Sequence, residues 1–390
     1  MTNDRDRSSN TMKVLHFCNL LPRKEGAYEA LLAAIAAGLR EGGDTIHFVF
    51  AGEPMDAVAE RLRAAGATWS VIRGWSDGNR EHPWRFVLPA CRLLRVHRPN
   101  VAVVHFGNEM PSLAASVLAP LFGASGVRDV RWVWEQDQQI ADPTPLAARI
   151  NRLLVLARKF DRFVAVYAGG RRSLLLRGVP EERVVVICNA VGDYTRRRTQ
   201  GWLRAELGVP IESPLLVSVG SLIARKRIGF LIEAIGRLAS TSRPHLAVVG
   251  DGPERPNLVR WADTLGVSKR LHLMGLRNDV REVLFEVDAY VHASLAETCT
   301  YSISESMATG VPAVVTDAGA AREQIENGVS GFVVGRDDVD GFASRVDLLV
   351  RDEVRRREMG AAARRRWEAN YRVDVAARRY CELYRSLAAR

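Results

Sequence analysis

The sequence predicts an α/β protein of two doubly wound domains, each a parallel sheet wrapped by crossover helices. Three observations carry this. Short β-branched runs alternate with longer amphipathic ones, the pattern of parallel βαβ units. The alternation breaks once, at the polar, Arg-rich stretch NAVGDYTRRRTQGW (189–202), and then resumes. At 390 residues, the chain is long enough for two domains with a core each.

Taken in order, the expected strands of the first half are KVLHFCN (13–19), TIHFVFAG (45–52), TWSVIRG (68–74), VAVVHFG (101–107), VRWVWE (130–135), FVAVYA (163–168) and RVVVICNA (183–190). EALLAAIAAGLREGG (29–43) reads as the first crossover helix, apolar at helical spacing and ended by two glycines. The break at 189–202 reads as a hinge. Beyond it come PLLVSVG (214–220), HLAVVGDG (245–252), RLHLMG (270–275), AYVHAS (289–294), PAVVTD (312–317) and GFVVG (331–335). Helices intervene at 227–240 and 254–266, and the Arg- and Ala-rich tail from about 353 is helical in period. The domains are therefore placed at 12–192 and 200–370, with a closing helix at 371–390 expected to pack back toward the first. Ligands of such sheets bind beyond the carboxyl ends of the strands, so a cleft between the domains is the expected site.

A hydrophobic content of 47% and a charged content of 26% are those of a soluble globular protein. The net charge of +10 calls for an acidic partner: nucleic acid, an anionic lipid surface or a phosphorylated small molecule. Cys18, Cys91, Cys188, Cys299 and Cys381 are scattered and form no C-x-x-C pair, which points to free thiols in a reducing compartment rather than zinc or disulfides. The polar start is not a signal peptide, and no apolar run reaches the roughly 18–20 residues that cross a bilayer. A cytoplasmic protein is expected.

Four stretches could carry chemistry. VSVGSLIARKRIGF (217–230) places Gly220 at a strand end and Arg225, Lys226 and Arg227 around a helix start. Cations are unfavourable there unless an anion joins them, and phosphate suits both the free N–H groups and the charges. The alternative is a solvated basic loop; a P-loop is excluded by the missing G-x-x-x-x-G-K-[ST]. In VVGDGPE (248–254), a tight structural turn is favoured over a dinucleotide loop, because the third glycine and the distant acid are missing. In ETCTYSISESMATGVP (297–312), Glu297 falls in the loop after a strand and Glu305 in the first turns of a helix. Even fully helical, the segment would hold them about 12 Å apart, too far to share one proton or metal. Carboxylates accept from hydroxyls and repel phosphate. Around the neutral Thr300, Tyr301 and Ser302, they suit a ligand with hydroxyls at both ends and phosphate between, the layout of a nucleotide sugar. Otherwise they are a loop Glu and a helix-start Glu. VVHFGNEM (103–110) ends an apolar strand on His105, a structural or an active-site histidine. No nucleophile elbow, H-E-x-x-H motif or metal-binding carboxylate cluster occurs.

In combination and order these stretches resemble glycosyltransferase family 4, the retaining nucleotide-sugar transferases of GT-B fold. GSLIARK resembles the family's G-R-L…K loop, VVGDGPE its G-D-G-P-E turn, and ASLAETCTYSISESMATGVPAVVTD its E-x7-E segment with the following A-x-G-x-P-V-V. More loosely, VVHFG resembles the strand with the active-site His, and VVVICNAV the I-P-N-G-V before the linker. The resemblance implies two Rossmann-like domains facing a cleft and a retaining sugar transfer from a UDP- or GDP-sugar, with no metal or other cofactor required. It implies that Lys226, with Gly220 and Arg225, binds the donor diphosphate. The main chain near Arg277 would meet the base, and Glu305 the ribose. Thr300, Tyr301 and Ser302 would offer N–H groups to the phosphates. Glu297 would take the hydroxyls of the transferred sugar, and His105 would lie near donor sugar and acceptor. The catalytic set is thus His105, Glu297 and Lys226, with Gly26 on the acceptor side.

Three positions depart from the family: Ser221 replaces an Arg, Thr298–Cys299–Thr300 replaces small-Phe-Gly, and Gly26–Ala27–Tyr28–Glu29 shortens a Gly-Gly loop. Two rivals stand beside the transferase: a nucleotide-sugar epimerase of similar architecture, and a non-catalytic binding protein on a degenerate transferase scaffold. The expected partners are the nucleotide-sugar donor and a carbohydrate, lipid-linked or small-molecule acceptor. Nucleic acid is not expected, since no binding motif accompanies the charge. The Arg-rich stretches LLVLARKFDRF (153–163) and GGRRSLLLRG (169–178) add an anionic membrane surface as a candidate partner, against the blander reading of solvated helix faces.

Overall fold

The structure, a computed structural model, describes residues 11–18, 20–22, 26–73, 84–105, 125–130, 160–176, 178–238 and 242–389, with the side chains of 84–87 and 125–130 outside the description. It divides into two compact units. The first runs to Ala190 and takes back Val373–Arg390; the second is Val191–Arg372.

The first unit is a seven-stranded sheet in the order β3-β2-β1-β4-β5-β6-β7. Its strands are β1 Lys13–Cys18, β2 Thr45–Phe50, β3 Thr68–Val71, β4 Val101–His105, β5 Ser125–Val130, β6 Arg162–Ala165 and β7 Val184–Val186. All pairings are parallel. Strands covered on both faces must be apolar throughout, and β1 and β2 show it, with every residue after the first buried. β5 occupies Ser125–Val130, just before the run expected at 130–135, of which only Val130 is described. A strand spelled SGVRDV, with Gly and Asp in it, lacks the β-branched density that marks its neighbours.

The helix Ala27–Glu41 buries Leu31, Leu32, Ile35 and Leu39. The last helix of the chain, Val373–Ala388, packs on it, with Tyr380, Tyr384 and Leu387 buried. Cys381 Sγ lies 3.6 Å from the Ile35 carbonyl, and Arg385 pairs with Asp44 at 3.0 Å.

The second unit is a six-stranded sheet in the order β10-β9-β8-β11-β12-β13. These strands are β8 Leu215–Val219, β9 His245–Val249, β10 Leu271–Gly275, β11 Ala289–His292, β12 Ala313–Thr316 and β13 Gly331–Val334, again all parallel. Leu216, Leu246, Val248, Val291 and Val314 build the core with Phe230, Leu231 and Ile235 of the helix Ile228–Arg237 and Phe342 of Val339–Arg351. The Arg-rich stretch read as a hinge is tied down within this unit. Glu282 accepts from the Arg197 and Arg198 N–H groups at 3.1 Å, and Glu286 pairs with Arg196 at 3.0 Å. The chain enters and leaves the unit side by side, Val191 bridging to Arg372.

Candidate functional site

Doubly wound sheets bind ligands where the strand order reverses. In the second unit that point lies between β8 and β11. After β8 the chain passes Gly220, makes a short 3₁₀ turn over Ala224–Lys226 and enters the helix Ile228–Arg237 through Arg227, whose φ of 48° is left-handed. The GDGP turn after β9 is stacked on this loop. The Leu222 N–H donates to the Asp251 carbonyl at 2.9 Å and the Glu254 N–H to the Leu222 carbonyl at 3.0 Å. A Cβ on Gly250 would stand 1.9 Å from the Gly220 oxygen, and one on Gly252 would stand 2.4 Å from the Leu222 oxygen. Both glycines are demanded by this close approach, which fits the structural reading of the turn.

The basic loop reaches across to the end of β11. Lys226 Nζ donates to Glu297 Oε1. Arg225 Nη1 reaches the same oxygen at 3.3 Å and also the Ala296 carbonyl. The Arg225 carbonyl in turn accepts the Leu295 N–H at 2.9 Å and Ser294 Oγ at 3.1 Å. A third group comes from β11 itself, His292 Nε2, 3.3 Å from Glu297 Oε1. All three meet Oε1; among the described residues none holds Oε2. Burial alone would raise the Glu297 carboxyl, but its interactions with His292 first, and then with Lys226, outweigh it and hold it well below the usual carboxylate range. Burial keeps the His292 imidazole below its ordinary value despite Glu297, which favours the neutral ring, and Lys226 and Arg225 are the cations beside the carboxylate.

Glu305 lies in the helix Tyr301–Ala308, with Tyr194 Oη 3.5 Å from its Oε1. Burial, then the Glu305 charge, pushes the Tyr194 phenol far up, so it donates. One expectation is corrected here. Thr300, expected to offer its N–H to a phosphate, donates it to Gln324 Oε1 at 3.1 Å, while Gln324 Nε2 returns a bond to the Thr300 carbonyl at 2.8 Å. A fully buried amide satisfies this N–H, because the neutral loop before the helix is packed into the core. The remaining expected donors, Tyr301 and Ser302, form the first turn of the helix. The Arg277 side chain grips Asp279 at 2.7 and 2.8 Å and pairs with Glu206, so any ligand contact there falls to the main chain after Gly275.

In the first unit the reversal lies between β1 and β4, and His105 ends β4 there, fully buried. Its Nε2 is 2.8 Å from His16 Nδ1, and Cys18 is its register partner on β1. The ligand atoms of His16, Cys18 and His105 lie within 4.8 Å of one another, the one group among the described residues placed to hold a metal ion. Sequence reading missed this trio because His16 and Cys18 sit in an ordinary core strand. Gly26 is the residue before the helix Ala27–Glu41, its carbonyl accepting the Ala30 N–H at 3.1 Å. The stretch 153–163 falls mostly outside the described residues; 169–178 supplies most of the helix Ala168–Leu176, with Leu174 buried and Leu176 exposed. No described helix is long and apolar enough to cross a membrane.

Comparison with known proteins places both halves. The family model described as "Glycosyl transferases group 1" matches residues 202–366, and that of "Glycosyltransferase Family 4" matches residues 29–193. The lipopolysaccharide core biosynthesis glycosyltransferase LpsE of Rhizobium meliloti is 33% identical over 186 residues, 43% of this chain and 54% of that protein. The match thus spans about half the length of that relative. N-acetyl-alpha-D-glucosaminyl L-malate synthase of Bacillus anthracis is 26% identical over 354 residues, 89% of this chain and 90% of that one. Among solved structures, Anabaena HepE in complex with UDP has a TM-score of 0.78 at 19% identity, covering 96% of this chain and 100% of its own, a likeness of fold. Matched in each half by a glycosyltransferase model, the chain belongs to the family 4 glycosyltransferases of GT-B fold.

Proposed function

We propose that this protein is a retaining glycosyltransferase that moves a sugar from a UDP- or GDP-sugar to an acceptor hydroxyl, in the making of bacterial polysaccharide, glycolipid or glycosylated metabolites. The observation that carries this reading is the meeting of Lys226 and Arg225 with Glu297 at the strand-order reversal of the second unit. A diphosphate entering there finds two cations and the first turn of the helix Tyr301–Ala308. Glu305 accepts from the ribose hydroxyls and Glu297 from those of the sugar. In the transfer, the bond from the sugar's anomeric carbon to the phosphate oxygen breaks and a bond to the acceptor oxygen forms on the same face. The acceptor proton goes to the leaving phosphate oxygen, and nucleoside diphosphate departs. Lys226 and the helix dipole stabilise the charge developing on that oxygen, the part a metal ion plays elsewhere. His105 takes the part the family resemblance gives it, near the sugar and acceptor. Anabaena HepE has been solved with UDP-glucose, which supports a nucleotide-sugar donor for this fold.

The test is a binding screen of UDP-, GDP-, ADP- and dTDP-sugars by calorimetry, then mass spectrometry of products with carbohydrate, lipid-linked and small-molecule acceptors. Turnover of donor without acceptor into an isomeric nucleotide sugar would mark an epimerase; binding without turnover would mark a non-catalytic protein. The exposed Leu88 and Val96 of the helix Trp84–His97, flanked by Arg92 and Arg95, support a peripheral site on an anionic membrane. Co-sedimentation with vesicles that does not depend on anionic lipid at low salt would discard it.

A further inference from the structure

We infer that His292 is a positioning residue for the sugar-side carboxylate: it holds Glu297 in place once the diphosphate has drawn Lys226 and Arg225 away. This rests on the donor reading above and deepens it. Without a ligand, three groups converge on Glu297 Oε1. Two are cations on the basic loop, and phosphate oxygens compete directly for them. The third is a neutral ring at the end of β11, 4% exposed. A bound diphosphate cannot recruit it, so it is the partner that persists through donor binding.

His292 is itself fixed by a buried chain of hydrogen bonds. Its Nδ1 is 3.2 Å from Tyr290 Oη, which is 2.7 Å from Ser302 Oγ. Tyr290 is fully buried, and Ser302 is 8% exposed. The proton order follows from the end of the chain, because an ionised carboxylate only accepts. His292 Nε2–H therefore donates to Glu297, His292 Nδ1 accepts from Tyr290 Oη–H, and Tyr290 Oη accepts from Ser302 Oγ–H. The chain begins in the first turn of the helix Tyr301–Ala308 and ends on the carboxylate. The group beside the phosphates and the group that reads the sugar are thus set by one network. With Oε1 pinned by His292, Oε2 faces the sugar hydroxyls in one orientation.

The experiment compares wild type, His292→Leu, His292→Gln and Tyr290→Phe. Affinity is measured by calorimetry for UDP against UDP-glucose and for GDP against GDP-mannose, with transfer rates alongside. Leu removes the donor; Gln restores an N–H near the position of Nε2; Phe frees the tautomer while keeping the packing. The expected result is a loss of about five- to tenfold in sugar-nucleotide affinity and in kcat/KM for His292→Leu. Affinity for the bare diphosphate stays within about twofold of wild type. Recovery by His292→Gln to within about threefold completes the pattern. Equal losses for UDP and UDP-glucose, or equal behaviour of the Leu and Gln variants, overturn the inference. Should His292→Leu fail to fold, Tyr290→Phe carries the test, with a smaller loss confined to the sugar nucleotide. A wild type that binds none of the four ligands removes the donor reading and this inference together. A wild type that binds them with His292 indifferent removes this inference alone.

Discussion

Between β1 and β4 the first sheet holds two imidazoles and a thiol, all fully buried, with His105 against His16. Between β8 and β11 the second sheet holds Lys226, Arg225 and Glu297, all partly open, backed by a buried His292. The two sheets reverse strand order at equivalent points, so topology alone does not separate their tasks. The side chains at the strand ends do. Open cations suit a mobile polyanion, and a carboxylate kept ionised among them suits hydroxyls. Fully buried imidazoles and a thiol make a far less open surface than the loop after β8. One fold, used twice, carries open charged groups at one reversal and buried uncharged packing at the other.

The comparison can be broken most sharply at Gly250. Gly250→Ala places a Cβ on the Gly220 carbonyl and forces the loop that carries Lys226 to move. A stability loss of roughly 2–4 kcal/mol is expected. In hydrogen exchange, protection should fall in the second unit and be kept in the first. Lys226→Ala removes a cation paired with Glu297 and, on the proposed function, the leaving-group cation with it. A charge-assisted bond is worth roughly 1.5–3 kcal/mol, so kcat/KM should fall by about one to two orders of magnitude in steady-state assays; a near-normal rate would end the role given to it. His105→Ala tests the other half. Here kcat should fall by about tenfold or more while UDP affinity, measured by calorimetry, stays within about twofold. A matching loss of UDP affinity would put His105 with the phosphates instead.

The smallest effect is on pH dependence, and both units share it. Burial and the neighbouring His97 lower His47 to about 4; burial and His272 lower His245 to about 4. The unfolded chain takes up these protons near pH 6.5, and the folded one resists them. The stability that the neutral rings contribute is therefore present above about pH 6.5 and is lost as pH falls toward 4. Scanning calorimetry should show the unfolding temperature dropping by a few degrees over that range. His47→Gln should flatten the drop for the first unit and His245→Gln for the second.

Much of this was legible in the chain because parallel strands buried on both faces must be spelled in β-branched residues. β8 through β13 fall within the runs read from that spelling, and Glu297 in a loop with Glu305 in a helix followed from the break between AYVHAS and ISESMATG. Ser125–Gly126–Val127–Arg128–Asp129 was not read as a strand because a strand containing Gly and Asp does not announce itself. The Arg-rich stretch at 189–202 looked loose because its partners, Glu282 and Glu286, lie 85 positions away. His292 was passed over for a related reason. In a strand it reads as one more core position, and only the turn after β11 brings Glu297 back onto it. Thr300 was misread because its acceptor, Gln324, lies 24 positions on, in the short helix Ala321–Gln324.

The helix Val373–Ala388 belongs to the first unit yet is made after the whole of the second. A ribosome adding about 5–20 residues per second needs on the order of ten to forty seconds to cover the intervening chain. Throughout that interval the helix Ala27–Glu41 lacks the cover that Tyr380, Tyr384 and Leu387 later give it. The described part of the second unit, Val191–Arg372, is continuous in sequence and can finish first. A nascent chain of this kind is most exposed to chaperones and to aggregation in its first unit, which matures only when the residues of Val373–Ala388 arrive.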